Sequence, residues 1–361
     1  MKPVIIELYD KGDNLPNKEE LESKYEVIRY HVTTKEKFFE DIQHQPLNEA
    51  VAIFAGYPGF KAVGGLHEHS LIDLLPSTLK VIGLCSAGMD GLDVAYLNAR
   101  GIQVTNVPVD EHIAMDVADC ALWHVLNGVR KFNYWDHLLK NAGVDGHTLE
   151  IRENVRNHYT DKKASGFAFG HLFHGKEVRR SHNRKCVVLG YGLIGKQVVN
   201  RMLVIGMDIN VVVRNPEKYQ TESNPRITIY SSKDLVNATK GADVIVICLP
   251  GCKETNDIIN EEIFHNLNDN AIIVNVGRGS CIDTKALQNA IESGKVAHTG
   301  LDVFPNEPIV ERYWLDEHSI NNKNPFFTSS ITPHLGSSTS ETLDYANYSC
   351  VETILSILQD K

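Results

Sequence analysis

Three stretches in the C-terminal half of this 361-residue chain carry residue types that could do chemistry together. Val274-Asn275-Val276-Gly277-Arg278-Gly279-Ser280 is an apolar run ending in an arginine between glycines. Gly300-Leu301-Asp302-Val303-Phe304-Pro305-Asn306-Glu307-Pro308 brings carboxylates, and Ile331-Thr332-Pro333-His334-Leu335-Gly336-Ser337-Ser338 brings a histidine. An imidazole can exchange a proton near neutral pH, because its ordinary pKa lies close to it. A neighbouring carboxylate raises that pKa and fixes the tautomer. A guanidinium can hold a substrate carboxylate through two donors and polarise a carbonyl. Taken singly, a histidine after proline reads as a surface turn and an arginine after a strand as a solvated charge. Their order behind a glycine turn makes the set worth reading as one site.

That turn is Gly190-Tyr191-Gly192-Leu193-Ile194-Gly195, preceded by the apolar residues 186–189 and followed by a helical pattern over 196–203. The first glycine permits a tight turn, the second lets the backbone approach a pyrophosphate, and the third lets helix pack closely on strand. The helix N-terminus then faces the negative charge. A dinucleotide that uses its ribose hydroxyls for recognition is usually met by an acid at the end of the next strand. Here that strand, 209–213, ends in Arg214-Asn215, and Asp208 stands at its other end. A guanidinium pairs well with a 2′-phosphate, which favours NADP(H). The alternative is that Arg214 stacks on adenine and the cofactor is NAD(H).

With these motifs in this order and spacing, the sequence resembles the D-isomer-specific 2-hydroxyacid dehydrogenases over nearly its whole length, most closely from Cys186 to Thr339. The resemblance implies two doubly wound, Rossmann-like α/β domains with the active site in the cleft between them. It implies His334 as the acid/base, Glu307 as its partner and Arg278 as the substrate clamp. It also implies a cofactor site of Gly190, Tyr191, Gly192, Leu193, Ile194, Gly195, Arg214, Asn215, Leu249, Pro250, Val276, Gly277, Asp302 and Gly336, with Asp302 at the nicotinamide carboxamide. Ser86-Ala87-Gly88 looks like the family loop whose amides face the substrate carboxylate, and Tyr57 and Phe60 are candidates to shape the side-chain pocket. The reaction implied is reversible reduction of a 2-oxo acid to the D-2-hydroxy acid. Glyoxylate or hydroxypyruvate comes first, with a bulkier aromatic or branched 2-oxo acid as runner-up. Three departures bear on pocket and oligomer contacts. The segment between Arg130 and Gly190 is longer than usual, Asp119 stands where relatives have Glu, and the stretch between Pro308 and Ser330 is long and Asn-rich.

The elements that must position these residues alternate as parallel sheets with crossover helices do. Strands are expected at 4–8, 27–30, 51–54, 81–85 and 103–106, then at 186–189, 209–213, 227–230, 244–248, 272–275 and 298–302. Val117, Ala121, Leu122, Val125, Leu126 and Val129 recur at helical period. Residues 141–183 are polar and weakly periodic, and read as an irregular insertion. A last helix after Ser337 opens on the capping box Ser338-Thr339-Ser340-Glu341. The expected division is a substrate-binding domain over 1–112, completed by a helix over 340–361, and a dinucleotide-binding domain over 113–339. Hinges are expected near 110–115 and 335–340.

Composition bounds the alternatives. A net charge of −10 argues against a nucleic-acid binder. Seven scattered cysteines fit reduced thiols in the cytoplasm better than a disulfide framework. No signal-like start or membrane-length apolar run is present. His67-Glu68-His69 and the His171, His174 pair lack a matched second pair for a metal, so no metal is expected. The basic residues of 176–185 read as a solvated loop, or else as an attractor of anions. The resemblance also covers dinucleotide-sensing corepressors, which add partner-binding tails. The chain stops soon after its last helix, which favours an enzyme. A formate dehydrogenase is disfavoured, because that branch has Gln where Pro333 stands. A homodimer is expected from the family alone.

Overall fold

The computed structural model describes residues 2–8, 18–55, 60, 63–89, 91–141, 146–157, 167–219, 222–315 and 324–359. The chain forms two compact units: Met1–Asp110 with Ser338–Lys361, and Glu111–Ser337.

The first unit is built on a parallel sheet of β1 (Val4–Glu7), β2 (Glu26–Arg29), β3 (Ala50–Ala55), β4 (Val81–Leu84) and β5 (Gln103–Thr105), in the order β2-β1-β3-β4-β5. Its central strands are buried apolar runs, as expected of strands covered on both faces. The C-terminal helix Ser340–Gln359 closes on this sheet so tightly that a Cβ on Gly83 would meet Ile354 and Cys350 within 2.9 Å. Its cap differs from the expected box. Thr339, rather than Ser338, accepts the Thr342 amide at 3.1 Å, because the helix starts one residue later than the motif suggests.

The second unit holds a seven-stranded parallel sheet. Its strands are β8 (Lys185–Leu189), β9 (Asp208–Val213), β10 (Ile227–Ser231), β11 (Val244–Ile247), β12 (Ala271–Asn275), β13 (Val296–Leu301) and β14 (Thr328–Ile331), in the order β10-β9-β8-β11-β12-β13-β14. Strand order reverses between β8 and β11, which is where doubly wound sheets open a crevice for ligands. The helices Leu193–Val204 and Glu111–Arg130 lie together on it. Arg201 pairs with Asp119 across them at 2.6 Å, so the shorter acid at that position still finds a cation.

The expected doubly wound α/β class holds, with two differences. The edge strand β14 was not among the expected strands. The stretch 141–183 is also more regular than expected: it contains the helix Thr148–Asn157 and a hairpin of β6 (Leu172–Phe173) and β7 (Lys176–Glu177). Both are pinned by a small apolar cluster of Val155, Phe173, Ala297 and Phe326. Among the described residues, no helix is long and apolar enough to cross a membrane.

Candidate active site

Because every strand of the second sheet is parallel, the loops after β8, β11, β12, β13 and β14 all leave from one edge. Gly190 follows β8 with φ +95, a conformation that side-chain-bearing residues rarely adopt. Its amide donates to the Val212 carbonyl at 2.9 Å. A Cβ on Gly195 would lie 2.1 Å from the Gly190 carbonyl oxygen, so the third glycine is obligatory for the fold of the turn. Gly192 is different: a Cβ there would meet nothing within 4 Å. It caps the helix Leu193–Val204 without a side-chain bond, and the first-turn amides of Leu193 and Ile194 find no backbone acceptor among the described residues. This cradle suits a pyrophosphate.

The turn has a second tie that sequence reasoning missed. The Tyr191 hydroxyl donates to Glu222 at 3.0 Å, and the Tyr219 hydroxyl to the Tyr191 carbonyl at 3.3 Å. Burial, with Glu222 beside it, pushes the Tyr191 hydroxyl up to about 12. No local pattern marks Glu222, because the contact spans two loops. Arg214 and Asn215 stand at the carboxyl end of β9, with Arg214 exposed. Asp208 opens the same strand at the far end and is held by Arg226 at 3.0 Å.

Leu249 and Pro250 follow β11, and Val276 and Gly277 follow β12. A Cβ on Gly277 would lie 2.5 Å from the Leu249 carbonyl, so the two loops touch. Arg278 is set by Asn275, whose amide spans the turn. Its oxygen accepts from Gly277 N at 3.0 Å and its nitrogen donates to Arg278 O at 2.8 Å. Asn275 was quoted in the motif but given no role.

After β13, Asp302 is almost completely buried. One of its oxygens accepts from the Thr332 hydroxyl at 2.7 Å and from Leu335 N at 2.9 Å; the other accepts from Gly336 N at 2.9 Å. Asp302 therefore grips both sides of His334. That histidine sits at φ +55, with its Nδ1 2.7 Å from Glu307 Oε2, while Glu307 Oε1 accepts from Phe304 N at 3.0 Å. A carboxylate is acceptor-only, so Nδ1 carries a hydrogen and Nε2 is the nitrogen left to exchange a proton.

In the first unit, the Ser86, Ala87 and Gly88 carbonyls are all engaged, by Val107 N, Asn106 Nδ2 and the Ser86 hydroxyl. Their amides find no backbone acceptor among the described residues. Tyr57 lies outside the described residues. Phe60 is buried in the unit core, edge-on to Phe38. Of the histidines weighed for metal, His69 bonds Asp93 and stacks on Tyr96, and His174 bonds Tyr134. Among the described residues, no group of three or more His, Cys, Asp or Glu could hold a metal. In the basic stretch, Lys176 bonds Asn270, Arg179 pairs with Glu177 and Arg184 with Asp243.

Comparison with known proteins follows the same lines. Residues 146–336 match the family described as D-isomer specific 2-hydroxyacid dehydrogenase, NAD binding domain. A Saccharomyces cerevisiae chain named as a 2-hydroxyacid dehydrogenase is 32% identical over 374 residues, covering 99% of this chain and 94% of its own. The 4-methyl-2-oxopentanoate reductase A of Aspergillus oryzae is 28% identical, covering 90% of this chain and 85% of its own. Among solved structures, a glyoxylate reductase from Paecilomyes thermophila superposes with a TM-score of 0.76 at 26% identity, covering 100% and 97% of the two chains.

Proposed function

The chain belongs to the D-isomer specific 2-hydroxyacid dehydrogenases, a family of oxidoreductases, and we propose that it reduces a small 2-oxo acid, of the glyoxylate or hydroxypyruvate type, with NADPH. The observation that carries the reading is the His334–Glu307 pair beside the Asp302-held loop, on the edge that also bears the glycine turn.

When bound along Gly190–Gly195, the nicotinamide cofactor supplies the hydride. Arg278 orients the substrate carboxylate and polarises the 2-oxo group. His334 delivers a proton from Nε2 to the oxygen as charge develops there. Glu307 holds the ring and offsets the charge it carries when protonated. Leu249, Pro250, Val276, Gly277 and Gly336 line the cofactor, with Asp302 at the carboxamide. Arg214 and Asn215 take the adenosine end, and the Ser86–Gly88 amides take an anionic group.

A bulkier 2-oxo acid remains a second reading, supported by the likeness to the 4-methyl-2-oxopentanoate reductase. We assign a homodimer, supported by exposed Phe132, Leu139, Leu149, Phe167 and Phe169 along 132–169. Light scattering that finds only monomers would overturn that assignment. Seven unpaired thiols, four of them buried, support a reducing compartment such as the cytoplasm.

The test is a nicotinamide absorbance assay with NADPH and NADH against glyoxylate, hydroxypyruvate and 4-methyl-2-oxopentanoate. The highest kcat/KM is expected with NADPH and one of the two smaller acids. Preference for the branched acid selects the second reading. Absence of turnover with all three rejects both.

A further inference from the structure

The second unit contains a line of buried polar side chains that the mechanism does not use. Alternate residues of β14 and its continuation, Thr328, Ser330 and Thr332, present their hydroxyls to His298 of β13 and to the helix Glu111–Arg130. Lys131 Nζ donates to the Thr328 hydroxyl and to the Ala297 carbonyl, both at 2.9 Å. The Thr328 hydroxyl lies 2.8 Å from His298 Nδ1, and His298 Nε2 lies 3.1 Å from the Ser330 hydroxyl. That hydroxyl lies 2.7 Å from His124 Nδ1, and His124 Nε2 lies 3.3 Å from the Thr332 hydroxyl. Thr332 donates to Asp302 at 2.7 Å.

The line is built into the packing. A Cβ on Gly300 would lie 2.5 Å from His124 Cβ, and one on Gly128 would lie 2.8 Å from His298 Cδ2. Side chains at either position would evict an imidazole. Burial also keeps both rings uncharged: it pushes His124 down to about 4, and His298 well below its ordinary value.

With both rings neutral, the carboxylate end fixes the direction of every bond. Asp302 only accepts, so the single Thr332 hydrogen goes to it, and Thr332 Oγ1 must accept from His124 Nε2–H. A neutral His124 then accepts at Nδ1 from the Ser330 hydroxyl. Ser330 Oγ accepts from His298 Nε2–H, and His298 Nδ1 accepts from Thr328. Thr328 Oγ1 is left to accept from Lys131, which donates two hydrogens whether charged or neutral.

We propose that Lys131, His298 and His124 are positioning residues for the dehydrogenase reaction: they form a one-way hydrogen-bond chain that holds Thr332 on Asp302, and through Asp302 the loop bearing His334. The chain rests on the proposed role of His334, but its polarity is testable apart from turnover. Chains of this kind polarise each bond in turn, so a break in the middle is felt at the end.

The experiment uses the full chain labelled with ¹⁵N-histidine, with signals assigned by single His→Gln variants. Long-range ¹H–¹⁵N spectra of the unmodified protein should show His124 and His298 both neutral with hydrogen on Nε2. An Nδ1–H tautomer or an imidazolium at either ring overturns the proposal. Ser330→Ala cuts the chain between the rings. It should shift the His124 and His334 ring signals and lower kcat about tenfold, the scale of one lost hydrogen bond, with KM for the 2-oxo acid little changed. Ser330→Thr keeps a hydroxyl on the strand and should restore both readouts. An unshifted His334 signal in Ser330→Ala refutes the positioning role, even if the chain turns over none of the oxo acids. Loss of thermal stability without a tautomer change, equal in the Ala and Thr variants, refutes it as well.

Discussion

Glu307 stands between two donors: one carboxylate oxygen takes the Phe304 amide at 3.0 Å and the other faces His334 Nδ1 at 2.7 Å. The arrangement makes Glu307→Gln more than a loss of charge. The Phe304 amide can only donate, so it claims the oxygen of the new carboxamide and turns the –NH₂ toward His334. Nδ1 must then accept, which reverses the tautomer. Expected is a kcat lowered roughly 10²- to 10⁴-fold with cofactor affinity kept, as when a histidine's carboxylate partner is made an amide elsewhere. Cofactor fluorescence titration beside steady-state kinetics checks it; near-normal kcat would remove Glu307 from the mechanism.

The glycines of the turn divide into those needed by the chain and one needed by the ligand. A methyl on Gly195 meets the Gly190 carbonyl at 2.1 Å, whereas one on Gly192 meets nothing. Gly195→Ala should therefore destabilise the free protein by about 1–3 kcal/mol. Gly192→Ala should melt normally without cofactor and bind it more weakly. Urea titration of both variants, with and without NADPH, separates the two. If Gly192→Ala kept full affinity, the pyrophosphate would not lie there.

The site was legible because parallel strands advertise themselves. Val244–Ile247 and Ala271–Asn275 are buried on both faces and read as unbroken apolar runs, so the residues just after them could be assigned to one edge of a sheet. β14 escaped for the opposite reason. Thr328-Ser329-Ser330-Ile331 has little apolar character, and the Thr328 and Ser330 hydroxyls are satisfied by Lys131, His298 and His124, each distant in sequence. One local sign was available: His124 falls on the buried face with Val117, Ala121, Val125 and Gly128. An imidazole on such a face needs partners. The helix Thr148–Asn157 was invisible because Val155 is its one buried apolar side chain among the described residues, the rest being polar or partly exposed.

At the adenosine end, Arg214 is exposed at the end of β9, and Asp208 is spent on Arg226 at the strand's start. If Arg214 reads a 2′-phosphate, Arg214→Ala removes a charge-assisted pair worth about 1.5–3 kcal/mol, roughly 10- to 100-fold in affinity for NADPH. NADH, which lacks the phosphate, should be little affected. The comparison of kcat/KM for the two cofactors in the variant is the measurement. Equal losses for both would mean that Arg214 stacks on the adenine instead.

The buried bases should also set how stability varies with pH. Burial lowers Lys131 from 10.5 to about 7, with Lys176 adding to the shift, and lowers His124 from 6.5 to about 4 against an opposing pull from Asp302. His298 is lowered too, by burial first and then by Lys131 and His124. A base whose folded pKa lies below its unfolded one binds fewer protons when folded. Its contribution is complete above the unfolded pKa and is lost as pH falls toward the folded one. Stability should therefore climb between pH 4 and 6.5 through the histidines, and again from 7 to about 9 through Lys131. Above that, the Cys120 and Cys248 thiols, pushed by burial from 9.0 to about 12, hold more protons folded than unfolded and pull it back down. Each base adds up to about 1.4 kcal/mol per pH unit in its window. Lys131→Met replaces the amine with an apolar side chain of similar length and should flatten the upper climb, leaving the lower one. Urea midpoints across that range decide it. A variant whose upper climb matches the native protein would show that Lys131 keeps its ordinary proton affinity in the fold.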